Sequence, residues 1–253
     1  MPLARDLSIC LRRLDYSETS QILLLFGREH GLLRVIAKGA HRRTKAGASK
    51  FDGGLDLLDL GEAVFIHDTN KELSILTEWS LREGHLDLRK NLRPLYLGQL
   101  AAEMVGNLIE EHDPHPEVFD PMLICLTELS TARVEESFLA FALDLLRDTG
   151  YLPELDVCVG CSRKISTEPT AFFSPARGGV VCRQCEGQIP DRLNIDIRLV
   201  RLLQTLLKLP QSNGNRSRLP RLTRHQTDPI NQMLLDHVEY AVGKKLRLRG
   251  YVV

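Results

Sequence analysis

The residues with the clearest chemistry in this chain are four cysteines arranged as two C-x-x-C pairs. Cys158 and Cys161 form the first pair, and Cys182 and Cys185 form the second, at a separation of about twenty residues that is typical of zinc sites. Each short turn can direct two thiolates at one tetrahedral ion, and four thiolates leave no position for a metal-bound water. We therefore predict a structural Zn²⁺ without a hydrolytic role. The alternative interpretation is two redox or disulfide motifs.

A second candidate is the basic segment 38–50, which contains five Lys and Arg residues and no Asp or Glu. Its small residues would let the backbone lie against a phosphate chain, and its cations could displace counterions from nucleic acid. Tyr16 and Phe51 are candidates for stacking on a base, whereas Phe26 and Phe65 are expected in the core. The alternative is a solvated basic loop without a partner. The predicted DNA contacts are Arg12, Arg13, Lys38, His41, Arg42, Arg43, Lys45 and Lys50.

The charge of the chain is unevenly distributed, although the formal net charge is zero. Residues 1–50 carry ten Lys and Arg against four Asp and Glu, and residues 157–253 carry sixteen against seven. Residues 51–156 carry seven against twenty-two. Two basic ends around an acidic middle indicate an anionic partner at the ends. No nucleophile elbow, phosphate-binding loop or metalloprotease helix is present, so we predict no catalytic residue and no enzyme.

The elements that must position these residues change type near residue 83. Short apolar runs at 7–14, 21–26 and 32–37 predict strands, with a hairpin turn at 27–31. Two or three further strands are predicted at 55–60, 62–67 and 73–81, with Gly61 and residues 68–70 as breaks. Five short strands without intervening helices favour an oligonucleotide-binding (OB) barrel over residues 1–82. A sandwich fragment or an SH3-like barrel would give a similar pattern.

Residues 83–253 are predicted to form an all-helical domain that carries a zinc-finger insertion at about 156–188, so the fold class is α+β. Helical spacing of apolar residues appears at 94–111, 118–129 and 134–146, and again at 195–209 and 228–246. The insertion contains a predicted hairpin at 171–181 that is too small to own a core. The basic stretch 211–224 is predicted to be a mobile loop. The chain has no apolar run of membrane-spanning length and no signal-peptide layout, so we expect a reducing cytoplasm, which favours zinc over disulfides.

The order of these parts resembles the bacterial recombination and repair protein family RecO over nearly the full chain. The most specific matches are Lys38-Gly-Ala-His-Arg-Arg43 and the cysteine quartet. Further matches are Tyr16–Ser20, the turn from Phe26-Gly27 to His30-Gly31, and Gly150-Tyr-Leu-Pro153.

This resemblance implies a mediator of recombination without catalytic activity. It implies binding to single- and double-stranded DNA, annealing of complementary strands, and action with RecR to load RecA onto strands coated by single-stranded-DNA-binding protein. It also implies that the barrel is an OB-fold whose basic loop contacts DNA, and that the protein acts at the bacterial nucleoid. Some members of the family lack the cysteines. The resemblance therefore implies that zinc, where it is bound, is a scaffold and not the source of activity.

The helical body is implied to dock RecR and the acidic C-terminal tail of the single-stranded-DNA-binding protein. Because the acidic stretch 103–156 would repel such a tail, we expect basic residues of the last third, Arg198 and Arg201, to take part in docking. Two other functions share these features. One is an OB-fold and zinc-ribbon RNA-binding protein of translation or RNA processing. The other is a zinc enzyme acting on nucleic acid, which four thiolates argue against.

Overall fold

The alternating apolar residues of the first part of the chain form strands in the computed structural model, which describes residues 3–40, 51–52, 55–66, 72–165, 170–208 and 220–253. The strands of this part are β1 (Leu3–Asp15), β2 (Ser20–Gly27), β3 (Gly31–Lys38), β4 (Phe51–Asp52), β5 (Leu60–Ile66) and β6 (Ser74–Glu83). Antiparallel pairing joins β1 to β2 and β5, β2 to β3, and β5 to β6. Parallel pairing of β3 with β6 closes the five longer strands into a barrel, which confirms the predicted OB-like fold.

The barrel interior is filled by the inward residues of every strand, as the two-residue period of a strand requires. Phe26 and Phe65 are fully buried, as predicted, Phe65 in the barrel core and Phe26 on the other side of β2, against Phe119. Phe51 is 5 % exposed and belongs to the barrel core, so the expectation that it could stack on a base is wrong. The core cluster comprises Cys10, Leu23, Leu25, Leu33, Val35, Ala37, Phe51, Leu55, Ala63, Phe65, Leu76 and Trp79.

The strand predicted at 55–60 is a turn, and β5 begins only at Leu60. Leu58 adopts a left-handed backbone with φ of 68°, and its N–H donates to the Cys10 carbonyl at 2.8 Å. Gly61 lies inside β5 and does not break the strand. A glycine fits this position because the Trp79 ring occupies the space that a Cβ would need. The sequence pattern could not show this, since the close approach comes from the neighbouring strand β6.

A buried carboxylate holds the β2–β3 turn. Asp6 on β1 is 4 % exposed, and it accepts the backbone N–H groups of Glu29 and His30, the latter at 2.9 Å. The His30 side chain also lies with Nδ1 3.0 Å from the same carboxylate. Bonds of this kind to a charged acceptor satisfy turn donors that would otherwise point at a buried surface.

Two helices complete the first of two compact units, Met1–Ala132. They are α1 (Leu92–Leu108), which follows a 3-10 turn at Leu86–Lys90, and α2 (Pro116–Glu128). Both confirm the helical spacing predicted there, although α1 begins before Pro94. Pro116 occupies the first helical position of α2, where its missing N–H costs nothing.

The second unit, Arg133–Val253, contains four helices and a small sheet among its described residues. The strands form a sheet in the order β8-β7-β9, and the hairpin β7–β8 confirms the predicted turn. Residues 209–219 lie outside the described residues, so most of the predicted loop 211–224 is not assessed. The elements of this unit are α3 (Val134–Asp148), β7 (Ala171–Ser174), β8 (Gly179–Cys182), β9 (Leu193–Ile195), α4 (Ile197–Lys208), α5 (Arg224–Val242) and α6 (Arg249–Val252).

Histidine 237 links α5 to the hairpin within this unit. His237 lies with Nε2 2.9 Å from the Tyr151 carbonyl and Nδ1 3.2 Å from the Pro175 carbonyl, and its ring packs edge-on against Phe173. These contacts give His237 a packing role within the unit. The division into an OB-fold domain at 1–82 and a helical domain at 83–253 stays a prediction. None of the described helices is long and apolar enough to cross a membrane.

The Asp6 carboxylate generates a test of barrel stability. We expect Asp6→Ala to lower the free energy of unfolding by about 2–4 kcal/mol, because two turn N–H groups lose a charged acceptor. Asp6→Asn keeps an acceptor oxygen without the charge and should recover part of this loss. Urea denaturation followed by circular dichroism measures both variants. If the urea midpoints of both variants equalled that of the wild type, the turn would not depend on this carboxylate.

Candidate nucleic-acid interface and metal centre

The four predicted cysteines meet in the second unit, with their Sγ atoms all within 4.8 Å of one another. Cys158 and Cys161 lie on a tight turn in which the Ser162 N–H donates to the Cys158 carbonyl at 2.7 Å. Cys182 ends β8, and Cys185 follows it in a turn closed by an N–H to carbonyl bond of 3.1 Å. Cys161 is exposed, whereas the other three are buried. Among the described residues this is the cluster that could hold a metal ion.

Backbone N–H groups prepare part of this cluster for the thiolate form. Burial raises the pKa of the Cys158 thiol, but the N–H groups of Cys182 and Gly160, each 3.3 Å from its Sγ, outweigh burial and lower the pKa to about 7. The pKa of Cys185 is raised to about 12, first by its contact with the Cys161 thiol and then by burial. Four adjacent thiols cannot all ionise without a compensating cation. The donor set therefore fits a soft divalent ion in a closed tetrahedral site.

The second candidate site is the outward side of β1, β2 and β3. Cross-strand pairing places Leu14 opposite Ile22 and Ile22 opposite Ile36, so three aliphatic side chains form a row across the barrel. Leu14 is 59 % exposed and Ile22 and Ile36 are half-buried. Sequence reasoning missed this row, because a strand whose two faces are both apolar gives no alternation. We call the six outward residues the open barrel face: Arg12, Leu14, Tyr16, Ile22, Ile36 and Lys38.

The helices of the first unit cover the other half of this side of the barrel. A Cβ added to Gly106 of α1 would lie 3.2 Å from Leu24 Cδ2, so the helix backbone comes close to β2. Further along β2, the Phe26 and Phe119 rings pack with their centroids 5.6 Å apart. Arg34 pairs with Glu111 at 2.6 Å. Among the described residues of this unit, only the half of β1–β3 that includes Leu14 and Lys38 therefore remains accessible.

The two adjacent arginines of β1 have different surroundings. Arg12 is exposed. Arg13 points to the other side of the strand, where its guanidinium bonds Asp56 at 3.0 Å and the Leu55 carbonyl at 3.3 Å. Because Arg13 is already paired, Arg12 is the stronger candidate for a phosphate contact.

Of the remaining predicted DNA contacts, Lys38 is the one that the structure describes, and it lies at the end of β3. Lys38 is exposed, and its partner across the ladder is Ser20. His41, Arg42, Arg43, Lys45 and Lys50 lie outside the described residues. Tyr16, which is 64 % exposed, donates its backbone N–H to the Ser20 carbonyl at 2.9 Å and so sits beside this row. The structure thus brings Arg12, Tyr16 and Lys38 to one face, at the point where the acid-free segment begins.

Arg198 and Arg201, the predicted docking residues, occupy the exposed side of α4. The Arg198 side chain is 84 % exposed and binds the Asp196 carboxylate through two nitrogens, at 2.7 and 3.0 Å. Asp196 also accepts the backbone N–H of Arg198 at 2.8 Å and so caps the start of α4. Arg198 is therefore held in place at the helix end by a neighbouring acid.

The cysteine cluster generates a direct test. We expect Cys158→Ser/Cys161→Ser to lose its bound metal, from about one ion per chain, because two of four ligands are removed. The midpoint of thermal unfolding should fall, while DNA affinity should change little. Metal content is measured by plasma mass spectrometry and unfolding by calorimetry. Cys125→Ala, which alters a buried cysteine of α2, is the matched control and should retain the metal. Unchanged metal content in the double variant would exclude a site at this cluster.

Comparison with known proteins assigns the chain to a family. The N-terminal model of recombination protein O matches residues 1–85, and the C-terminal model matches residues 89–250. A DNA repair protein RecO of Rhodopirellula baltica is 36 % identical over 181 residues, which cover 71 % of this chain and 66 % of that protein. The RecO proteins of Anaeromyxobacter dehalogenans (strain 2CP-C) and Caldanaerobacter subterraneus are each 27 % identical and cover 93 % and 92 % of their own lengths. The chain therefore belongs to the RecO family of recombination and DNA repair proteins.

Proposed function

We propose that this protein is a non-catalytic mediator of DNA repair that binds single- and double-stranded DNA and anneals complementary strands. With RecR, it would help to load RecA onto strands coated by single-stranded-DNA-binding protein. The observation that carries the proposal is the open barrel face, where Arg12, Tyr16 and Lys38 lie together and lead into the acid-free segment 41–50. OB barrels use this side of the sheet and its loops for oligonucleotides.

The composition of the open barrel face supports charge-driven binding with little sequence preference. It offers one aromatic ring, Tyr16, and an aliphatic row that can contact sugars and base edges but cannot read their hydrogen-bond pattern. Affinity should therefore come mainly from Lys and Arg neutralising phosphates, and it should fall steeply with salt.

The metal proposed for the cysteine cluster is Zn²⁺ in a structural role. When bound, it supplies four strong bonds that replace the hydrophobic core missing from this hairpin module. The thiolates of Cys158, Cys161, Cys182 and Cys185 would hold it, and none of them is placed to act on a phosphodiester. We further propose that the protein works in the bacterial cytoplasm, at the nucleoid.

An alternative function is RNA binding in translation or RNA processing, because an OB-like barrel and a cysteine module serve either nucleic acid. Equal affinity for RNA and DNA strands of one sequence, without annealing of DNA, would favour this alternative.

The decisive experiment mixes complementary DNA strands with the purified protein, with and without single-stranded-DNA-binding protein and without nucleotide. Accelerated annealing supports the mediator function, and spontaneous rates in both conditions would overturn it.

The basic segment generates a prediction about salt dependence. We expect Arg42→Ala/Arg43→Ala/Lys45→Ala to weaken binding to single-stranded DNA and to lower the slope of log affinity against log salt by about 2, because each lost contact removes about 0.7. Arg12→Ala should weaken binding more than Arg13→Ala, whose side chain is paired with Asp56. Fluorescence anisotropy over a salt series measures both effects.

A control with the same change in net charge replaces three basic residues that already pair with local acids. These pairs are Lys90 with Asp87, Arg147 with Asp144, and Arg192 with Glu186. The control triple alanine variant should retain the wild-type slope. If both triple variants lowered the slope equally, net charge alone would explain binding, and the assignment of segment 41–50 would be wrong.

The α4 arginines generate a prediction about partner docking. We expect Arg198→Glu/Arg201→Glu to reduce affinity for a peptide with the acidic tail sequence of single-stranded-DNA-binding protein by about tenfold or more, because it replaces two attractions with repulsions. Isothermal titration calorimetry measures the change. Arg163→Glu/Arg177→Glu, which reverses two exposed charges of the same unit, is the matched control. Affinity that survives in the α4 variant would place the peptide elsewhere.

A further inference from the structure

The four residues of the cysteine cluster differ in their access to solvent. Cys161 is exposed, whereas Cys158, Cys182 and Cys185 are 1 %, 0 % and 9 % exposed. Cys161 lies in the short turn 159–161, which closes where the chain returns to the Cys158 carbonyl. A dissolved oxidant can therefore reach Cys161 before it reaches the other three residues.

Hydrogen bonding separates the sulfur atoms further. The Cys158 sulfur accepts the backbone N–H groups of Gly160 and Cys182, each at 3.3 Å. A thiolate that is stabilised in this way is a weaker nucleophile. The Cys161 sulfur receives no backbone N–H from the described residues, and it lies 3.7 Å from the Cys182 sulfur. Access and hydrogen bonding thus select the same residue as the reactive one.

Basic residues accompany both turns that carry the cysteines. Arg163 and Lys164 lie two and three residues after Cys161, and Arg183 directly follows Cys182. All three basic residues are exposed. Among the described residues between the first and the last cysteine, none is Asp or Glu. Exposed sulfurs in positive surroundings are the ones that react in proteins, because nearby cations stabilise the negative charge that moves during attack.

We propose that Cys161 is an oxidation site, at which hydrogen peroxide or another hydroperoxide joins it to Cys182 in a disulfide. The inference goes beyond the proposed function, and it rests on the metal proposed for the cluster. Cys182 is the partner because its sulfur lies 3.7 Å from that of Cys161. Cys182 is fully buried, so it reacts with the oxidised Cys161 and not with the oxidant itself.

The reaction has two balanced steps. The Cys161 thiolate attacks one oxygen of hydrogen peroxide, so that an S–O bond forms, the O–O bond breaks and hydroxide leaves. In this step the sulfur loses two electrons and the peroxide gains them. The Cys182 thiolate then attacks the sulfenic sulfur of Cys161, the S–S bond forms, the S–O bond breaks and a second hydroxide leaves. Each hydroxide takes up a proton and becomes water.

The disulfide removes two of the four metal ligands. The thiolates of Cys158 and Cys185 alone do not close a tetrahedral site, so the metal is released. The two bonded sulfurs must also close from 3.7 Å to about 2.05 Å, which draws the turn 159–161 toward the end of β8. Because the small module depends on its metal bonds, it loses stability. Thiol reductants reverse the disulfide, so the cluster acts as a reversible sensor of oxidants.

The test uses the full-length protein isolated with its metal. The protein is treated with hydrogen peroxide and then with catalase, after which a chromogenic chelator measures free metal. Alkylation and mass spectrometry count the remaining thiols. We expect the wild type to release its metal and to lose two of its six thiols, with tryptic peptides that link Cys161 to Cys182. Dithiothreitol and added Zn²⁺ should restore both quantities.

Two histidine variants form a matched pair, because three thiolates and one imidazole also make a tetrahedral zinc site. Cys161→His should keep its metal and its remaining thiols after peroxide. Cys185→His has the same ligand set but retains Cys161 and Cys182, so it should lose its metal as the wild type does. Arg163→Ala/Lys164→Ala keeps all four ligands and should slow the loss of thiols, which tests the inference without any change of ligand. Cys125→Ala, in α2, should follow the wild type.

Several outcomes would overturn the oxidation site. One is a wild-type protein that keeps its metal and its thiols under peroxide that oxidises a free-thiol standard. Another is equal loss of metal by Cys161→His and Cys185→His, and a third is a disulfide that excludes Cys161. A wild-type protein that contains no metal when isolated would instead remove the proposed metal, and this inference with it. Annealing of DNA strands is measured separately, so each of these results leaves the proposed function standing.

Discussion

The contact of α1 and α2 with β2 is the constraint on which the candidate nucleic-acid interface depends. A Cβ on Gly106 of α1 would lie 3.2 Å from Leu24 Cδ2, so the helix backbone packs closely on β2. Phe26 packs on Phe119, and Arg34 pairs with Glu111 on the same side. A free OB barrel would offer the whole outer side of β1–β3 to a ligand. In this protein the helices take one half and leave the half that ends at Lys38.

Ion pairing divides the basic residues into those that hold the structure and those that are available. Arg13, Arg28, Arg34 and Arg249 each bind a carboxylate of their own unit. Such pairs reduce the field that a nucleic acid would meet, because each cation already has a counter-charge. Arg12 and Lys38 on the barrel, with Lys244 and Lys245 just after α5, remain exposed. Net charge along the sequence therefore does not show which individual cations are paired and which are exposed.

The cysteine cluster and the open barrel face are built from different contacts. Backbone N–H groups of Gly160 and Cys182 point at the Cys158 sulfur, and the hairpin β7–β8 brings the second pair to the first. The hydrogen bonds of the cluster join residues of the segment 158–185 to one another. A closed site of this kind stabilises a segment that is too small to own a core.

Local patterns determined much of the fold and one of the sites. Periodicity predicted the barrel strands and the helices, and the C-x-x-C spacing predicted the cluster, because both depend on residues close in sequence. Only the tertiary structure decided that Phe51 is in the core, that Gly61 lies inside β5 under Trp79, and that 55–59 is a turn. It also decided which cations are paired and which half of the barrel is open. Those outcomes depend on contacts between residues far apart in the chain, and no local pattern encodes such contacts.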